Sequence, residues 1–299
     1  MADICPTARV ERLLLSTDGS EYSEGAIREA IKLAKKCSSK LWVMSVVESN
    51  PEFEALAPQI TEKAGKTARE HIEALQARAK KEGVDCNGIV HQGEDSYKYI
   101  VDEAAKNKIS MIVMGRRGRT GLRRLMMGSV TSRVIGHAPC NVLVVPRAAK
   151  VEFKNILVAT DGSKYSAAAA SEAIGLAKRN KSKLTVISVV PSELMTPTDI
   201  EFSMPQRELI AEKEMHEAEK NAKAVKDAAQ KEGVAVQAFV MSGKPSDAII
   251  ETAREKSADL IVLGSHGKTG IEKLLMGSVA ERVIVLAACA VLVVKAGSK

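Results

Sequence analysis

An α/β fold, with a parallel sheet covered by helices on both faces and the whole built twice over, is what this sequence predicts. Short runs rich in Val, Ile and Leu alternate with stretches whose alanines and aliphatic residues recur at helical spacing, the pattern of strands joined by crossover helices. The pattern then repeats, since residues 13–47 align without a gap onto 156–190 at an offset of 143. A chain of 299 residues also suffices for two units of about 150, each able to bury its own core. A repeat this long is a duplicated domain, because solenoid units run to only about 20–50 residues.

In the first copy, strands are expected at Arg12–Thr17, Leu41–Val47, near Cys86–Gln92, at Ile109–Met114 and at Asn141–Val145. Between them Ala26, Ala30 and Ala34 with Ile27 and Ile31 mark a first helix. Thr61–Lys81 is a long charged helix with Ile72 and Leu75 inside, and Ser96–Lys106 is a third. The offset grows to 150 at Glu82-Gly83-Val84 against Glu232-Gly233-Val234, so the second copy carries seven more residues, expected in a loop around Pro191–Pro205. From Gly115 against Gly264 onward the offset is 149, which places one extra residue of the first copy inside its third helix or the turn after it. The long segments 61–81 and 205–231 are mostly charged with an alanine-rich stripe, the pattern of a solvated face packed on a sheet. The boundary falls between Pro146 and Asn155, giving domains 1–148 and 149–299. A linker as short as RAAKVEFK cannot hold them apart, so the two should touch.

Composition is that of a globular chain, with 45% hydrophobic and 27% charged residues. Five cysteines, Cys5, Cys37, Cys86, Cys140 and Cys289, with no C-x-x-C pair, point to reduced thiols in a cytoplasmic protein. Cys140 and Cys289 precede the last strand of each copy and read as small buried hydrophobes. The N-terminus lacks the apolar core of a signal peptide, and the longest apolar run, Val283–Val294, is shorter than the ~18 residues a membrane span requires, so no membrane association is expected. A net charge of +7 raises nucleic acid as a partner. With only 3% aromatic residues to stack on bases, and Lys and Arg interspersed with Asp and Glu, no nucleic-acid partner is expected.

Two phrases carry chemistry. After the fourth strand of each copy comes Gly115-Arg116-Arg117-Gly118, nine residues, then Gly128-Ser129, matched by Gly264-Ser265-His266-Gly267, nine residues, then Gly277-Ser278. A strand thus runs into a glycine-rich loop that ends at a helix N-terminus, where unpaired N–H groups and the helix dipole favour a phosphate. After the first strand comes Thr17-Asp18-Gly19-Ser20, matched by Thr160-Asp161-Gly162-Ser163. The aspartate there could accept hydrogen bonds from an adenine amino group or a ribose hydroxyl, and Ser20 or Ser163 could cap the next helix, although Asp-Gly is also ordinary turn chemistry. Both loops emerge at the carboxyl ends of strands, where ligands of such sheets bind. A P-loop does not fit, since Val262 stands where its first glycine is required, and no G-x-G-x-x-G follows the first strand of either copy.

Taken with the closing V-L-V-V strands, Val142–Val145 and Val291–Val294, these residues resemble the universal stress protein family in tandem form, over almost all of both halves. The resemblance implies two Rossmann-like domains, each a five-stranded parallel sheet of order 3-2-1-4-5 with helices on both faces. It also implies ATP binding and an intramolecular pairing of the two domains through their last strands, with further homodimerisation left open. By matching position, adenine and ribose would lie near Asp18 and the backbone of Val46, with phosphates against Gly115, Gly118, Gly128, Ser129 and Val130. In the second copy the matches are Asp161, Val189, Gly264, Gly267, Gly277, Ser278 and Val279, and Mg2+ would bridge the phosphates in both. Whether ATP, ADP or AMP is the resident ligand is open. Arg116 and Arg117 either add phosphate contacts or are solvated. No catalytic residue is assigned, because His266 stands opposite Arg117 and His71, His91, His137 and His216 match no histidine in the other copy. The expectation is therefore a regulatory, nucleotide-holding stress-response module with slow or no hydrolysis. The alternative is an ATPase or nucleotidyl-transfer enzyme in which Asp18 or Asp161 holds a metal-bound water.

Overall fold

The computed structural model describes residues 5–7, 10–118, 127–191, 204–268 and 276–297. The first half runs β1 (Arg12–Ser16), a 3-10 turn (Glu21–Ser23), α1 (Glu24–Cys37), β2 (Lys40–Glu48), α2 (Pro51–Leu56), α3 (Pro58–Lys81), β3 (Cys86–Gly93), α4 (Ser96–Lys106), β4 (Met111–Gly115), α5 (Ser129–His137) and β5 (Asn141–Val145). The second runs β6 (Asn155–Ala159), α6 (Lys164–Asn180), β7 (Lys183–Pro191), α7 (Met204–Lys231), β8 (Val236–Gly243), α8 (Pro245–Glu255), β9 (Leu260–Gly264), α9 (Ser278–Leu286) and β10 (Ala290–Val294).

All ten strands join one sheet of order β3-β2-β1-β4-β5-β10-β9-β6-β7-β8, so each half has the order 3-2-1-4-5. Pairing is parallel within each half and antiparallel at the joint, where Val142, Leu143 and Val144 face Val293, Leu292 and Val291. Left alone, either last strand would be an apolar edge with unpaired N–H and C=O groups, and pairing them closes both edges at once.

Side chains alternate along each strand, so each strand feeds two cores. On one face Leu13 and Leu15 of β1 pack with Ala26 and Ala30 of α1, Ile72 and Leu75 of α3, and Ala169 and Ala173 of α6. On the other face Leu14 packs with Ile100 of α4, Val134 and Ile135 of α5, Ile249 of α8 and Val283 of α9. Both cores continue through the joint, with Leu143 and Leu292 in the first and Val144 and Val291 in the second. Short strands buried on both faces are why the sequence shows continuous apolar runs there and not alternation.

The structure corrects three readings. The offset is already 149 at the start of the third long helix, Ser96 against Pro245, while β3 and β8 still match at 150, Gly93 against Gly243. The extra residue therefore lies in the turn before α4, where Glu94-Asp95 stand against Lys244 alone, and not in or after the helix. The short helix α2 was not expected, and the second copy's longer loop falls largely on 192–203, outside the described residues. Third, Cys5 and Cys37 are not reduced thiols: they form a disulfide between the N-terminal segment and the last residue of α1. The same segment is held from the matching end of α6, where Asn180 Nδ2 donates to the carbonyl of Pro6 at 2.9 Å. The cysteine pattern therefore no longer argues for a reducing compartment. Cys86, Cys140 and Cys289 are free thiols. Burial pushes Cys140 up to about 12 and Cys289 to about 11, as expected of small hydrophobes packed against the sheet. No helix among the described residues is long and apolar enough to cross a membrane.

Candidate functional site

Each half places its two loops side by side at the carboxyl end of the sheet. Backbone bonds from Thr17 N–H to Met44 O and from Thr160 N–H to Ile187 O, both 2.9 Å, tie the first loop of each copy to the neighbouring strand. Val46 and Val189 lie two residues beyond those carbonyls on β2 and β7, at the same end. Gly19 and Gly162 turn the chain with φ of +76° and +81°, a conformation that favours glycine.

Each aspartate gathers donors from its own turn. Asp18 Oδ1 accepts from Ser20 N–H at 3.0 Å, Ser20 Oγ at 2.7 Å and Ser23 Oγ at 2.7 Å. Asp161 Oδ1 accepts from Ser163 N–H at 3.0 Å, while its Oδ2 accepts from the backbone N–H of Lys268, in the loop after β9, at 2.8 Å. Burial would raise the Asp161 pKa, yet these donors, with Ser166, outweigh it and hold the group below its ordinary value. Ser163 caps α6 by accepting from Ser166 N–H at 3.1 Å, whereas Ser20 is spent on Asp18 and a 3-10 turn precedes α1.

The six loop glycines fall into three pairs. A Cβ on Gly118 would stand 2.7 Å from Asp18 Oδ2, and one on Gly267 2.8 Å from Asp161 Oδ2, so these two let the loops meet. A Cβ on Gly115 would lie 3.1 Å from the carbonyl of Tyr22, and one on Gly264 2.7 Å from the Tyr165 backbone, so packing on the first helix explains the second pair. Gly128 and Gly277 are different. They are the N-caps of α5 and α9, with φ of −62° and −69°, and a Cβ would come no closer than 3.5 and 3.4 Å to a described atom. Their N–H groups donate to Arg116 O at 3.1 Å and Ser265 O at 2.9 Å, and their carbonyls accept the first helical bonds, from Ser132 and Glu281, at 3.0 Å. The N–H groups of Ser129, Val130 and Thr131, and of Ser278, Val279 and Ala280, therefore start each helix without an intrahelical acceptor.

Two residues join the picture that sequence reasoning left aside. His71 of α3 reaches the first loop, with Nε2 3.3 Å from Thr17 Oγ1. Its counterpart Asn221 of α7 places its side-chain amide 2.6–2.7 Å from where a Gly162 Cβ would be. The signal was present: position 71 lies three residues after Ala68 and four before Leu75, both buried, so it faces the sheet. In the second loop, His266 Nδ1 is 3.1 Å from Ser265 Oγ, and Lys268 Nζ pairs with Glu217 of α7 at 3.0 Å. Arg116 corrects an expectation, being neither directed at its own cradle nor solvated. Its Nη1 donates across the joint to Ala287 O at 2.8 Å and Ile284 O at 3.4 Å.

Paired glycine-loop clefts at the carboxyl end of a doubly wound parallel sheet, present twice in one chain, define a tandem Rossmann-like α/β protein. The universal stress protein family profile matches residues 9–146 and again 152–295, and the chain belongs to that family. Universal stress protein MJ0531 of Methanocaldococcus jannaschii is 43% identical over 147 residues, which span 49% of this chain and 85% of that protein. A universal stress protein structure from Archaeoglobus fulgidus DSM 4304 is similar over 96% of both chains, with a TM-score of 0.73 and 22% identity. The functionally unknown protein PA1789 from Pseudomonas aeruginosa PAO1 is similar over 96% of this chain and 93% of its own, with a TM-score of 0.66 and 19% identity. At these identities the two structures speak to the fold alone.

Proposed function

We propose that each half of the chain holds one adenine nucleotide. Its phosphates would lie on Gly128-Ser129-Val130 or Gly277-Ser278-Val279, and its adenosine near Asp18 and Val46 or Asp161 and Val189. The observation that carries this reading is the pair Gly128 and Gly277. Packing or backbone conformation accounts for Gly19, Gly115, Gly118 and their counterparts, but neither demands glycine at these two N-caps. Ser, Asp or Asn would cap a helix better, because their side chains satisfy an N–H of the first turn. Glycine leaves those N–H groups and the positive end of the dipole to an outside anion.

The surrounding residues fit such a ligand. Asp161, held ionised, is an acceptor suited to a ribose hydroxyl or an adenine amino group. Among the described residues no three His, Cys, Asp or Glu side chains gather to hold a metal ion. When bound with the nucleotide, Mg2+ would supply charge neutralisation at the phosphates. The chain's own residues orient and shield the nucleotide. His71 approaches the first site, where the second copy has Asn221, and His266 lies in the second loop, where the first has Arg117, so no histidine base is common to both, which favours a holding module with slow or no hydrolysis. Calorimetric titration with Mg-ATP should give two sites per chain, or fewer with the balance recovered as nucleotide in a mass spectrum of the heat-denatured protein. No heat, no released nucleotide and no ATP-dependent rise in Tm would contradict the proposal.

A further inference from the structure

Each helix that opens at a candidate phosphate site is capped at its far end by a cation from the other half. α9 starts at the second cradle, and its last carbonyls accept from Arg116 of the first half, at 2.8 Å to Ala287 and 3.4 Å to Ile284. α5 starts at the first cradle, and its carbonyls at Ile135 and Gly136 accept from Lys295 Nζ of the second half, both at 3.0 Å. Plain duplication does not produce this arrangement. At the offset of 149, Arg116 corresponds to Ser265 and Lys295 to Pro146, so two unrelated positions supply the same kind of cap to equivalent helices. Arg116 also accepts the Gly128 N–H on its backbone carbonyl at 3.1 Å. One residue thus fixes the N-cap of one cradle helix and the C-terminal end of the other.

We infer that Arg116 is a positioning residue for the second nucleotide site although it sits in the loop of the first, and that Lys295 serves the first site from the second half. The inference rests on the nucleotide reading above. A cation on the last carbonyls of a helix complements the negative end of its dipole and fixes the final turn, and α5 and α9 are only nine residues each, about 14 Å long. The cap and the bound phosphate therefore act on opposite ends of one short rigid element.

The test is a Mg-ATP titration in single-site backgrounds, Gly128→Val leaving the second site and Gly277→Val leaving the first. Adding Arg116→Met should weaken the second site about two- to fivefold, the size of a charge–dipole contribution, and shift the first, which it touches through a backbone carbonyl that the substitution keeps, distinctly less. Arg116→Lys should restore most of the loss, and Lys295→Met should give the mirror image, weakening only the first site. A role in general stability would instead lower Tm and weaken both sites alike, and that result, or an unshifted second site with Arg116→Met, overturns the inference. Should Arg116→Met fail to fold, Arg116→Lys and Lys295→Met decide by the same criterion of which site is affected. A parent protein that binds no Mg-ATP brings down the proposed function and this inference with it, whereas binding without the crossed pattern removes the inference alone.

Discussion

The two halves share a backbone plan and differ in how each secures its candidate site. In the first, Asp18 Oδ1 gathers Ser20 and Ser23, and α3 brings His71 to Thr17. In the second, Asp161 reaches across to the Lys268 N–H, and Lys268 is itself pinned to Glu217 of α7. In both halves a glycine seats the second loop against the aspartate, Gly118 at Asp18 and Gly267 at Asp161, and the halves differ in what the long helix brings, His71 of α3 against Asn221 and Glu217 of α7. What both halves keep is the backbone: a left-handed glycine after the aspartate, a close-approach glycine opposite it, and a glycine N-cap. Side chains diverged around a main-chain arrangement that stayed fixed, as expected if the main chain supplies the binding groups.

Three expected outcomes would break or sharpen that comparison, and the largest concerns the N-terminal segment. It is bonded to the first half through Cys37 but only hydrogen-bonded to the second through Asn180. Cys37→Ser should lower the stability of the oxidised protein by about 2–4 kcal/mol in denaturant melts. Reducing agent should lower the parent equally and leave the variant unmoved, and an unaffected parent would show that the bridge adds nothing.

Next come the strand-end glycines. A Cβ at Gly264 would meet the Tyr165 backbone at 2.7 Å, whereas at Gly115 the nearest atom is 3.1 Å away. Gly264→Ala should thus cost about 1–3 kcal/mol and Gly115→Ala distinctly less. Equal costs would mean that the two halves pack their first helices with the same slack.

A smaller contrast lies at Glu29 and its counterpart Glu172. Glu29 is buried and paired with Arg28 at 3.0 Å and Lys32 at 3.3 Å, while the corresponding positions beside Glu172 are Ser171 and Gly175. Burial raises the Glu172 pKa above 4.5, opposed by the charge of Arg179. A carboxyl whose folded pKa is raised stabilises the fold below its unfolded pKa and loses that contribution as pH climbs through the folded value. Glu172→Gln should accordingly raise Tm at pH 7 and change little at pH 4. Glu29→Gln should lower stability at pH 7 by about 1–2 kcal/mol, with Tm falling accordingly, because it strips charged partners of their acceptor. A drop in Tm at pH 7 for Glu172→Gln would refute the asymmetry.

Much of the fold was legible because duplication let each half check the other. The two glycine loops are motifs that occur twice, and the strand order and the pairing of the closing V-L-V-V strands are what the family resemblance carried by those motifs implies. What stayed hidden depends on contacts the repeat does not encode. Cys5 precedes the repeated region, so nothing in the second copy pointed to its partner. Arg116 finds its acceptors in the other half, at a distance set only by the antiparallel joint. The extra residue before α4 escaped because the N-caps Asp95 and Lys244 and the first helical residues Ser96 and Pro245 share no chemistry that marks them as equivalent, and the two helices have the same length. His71 could have been placed by its spacing from Ala68 and Leu75, but its lack of a histidine counterpart drew attention away from Asn221.

The most direct test of the central claim is the Mg-ATP stoichiometry of Gly277→Val measured beside the parent by calorimetry. The described surroundings of Gly277 have room for a Cβ, at 3.4 Å from the nearest atom, and its φ of −69° suits any residue, so the variant should fold, as a cooperative melt of the variant would verify. Its branched side chain would stand where the phosphate meets the helix, and the account predicts that binding falls from two sites per chain to one. A folded Gly277→Val that still binds two nucleotides with the parent's affinity would show that the ligand does not rest on this cradle.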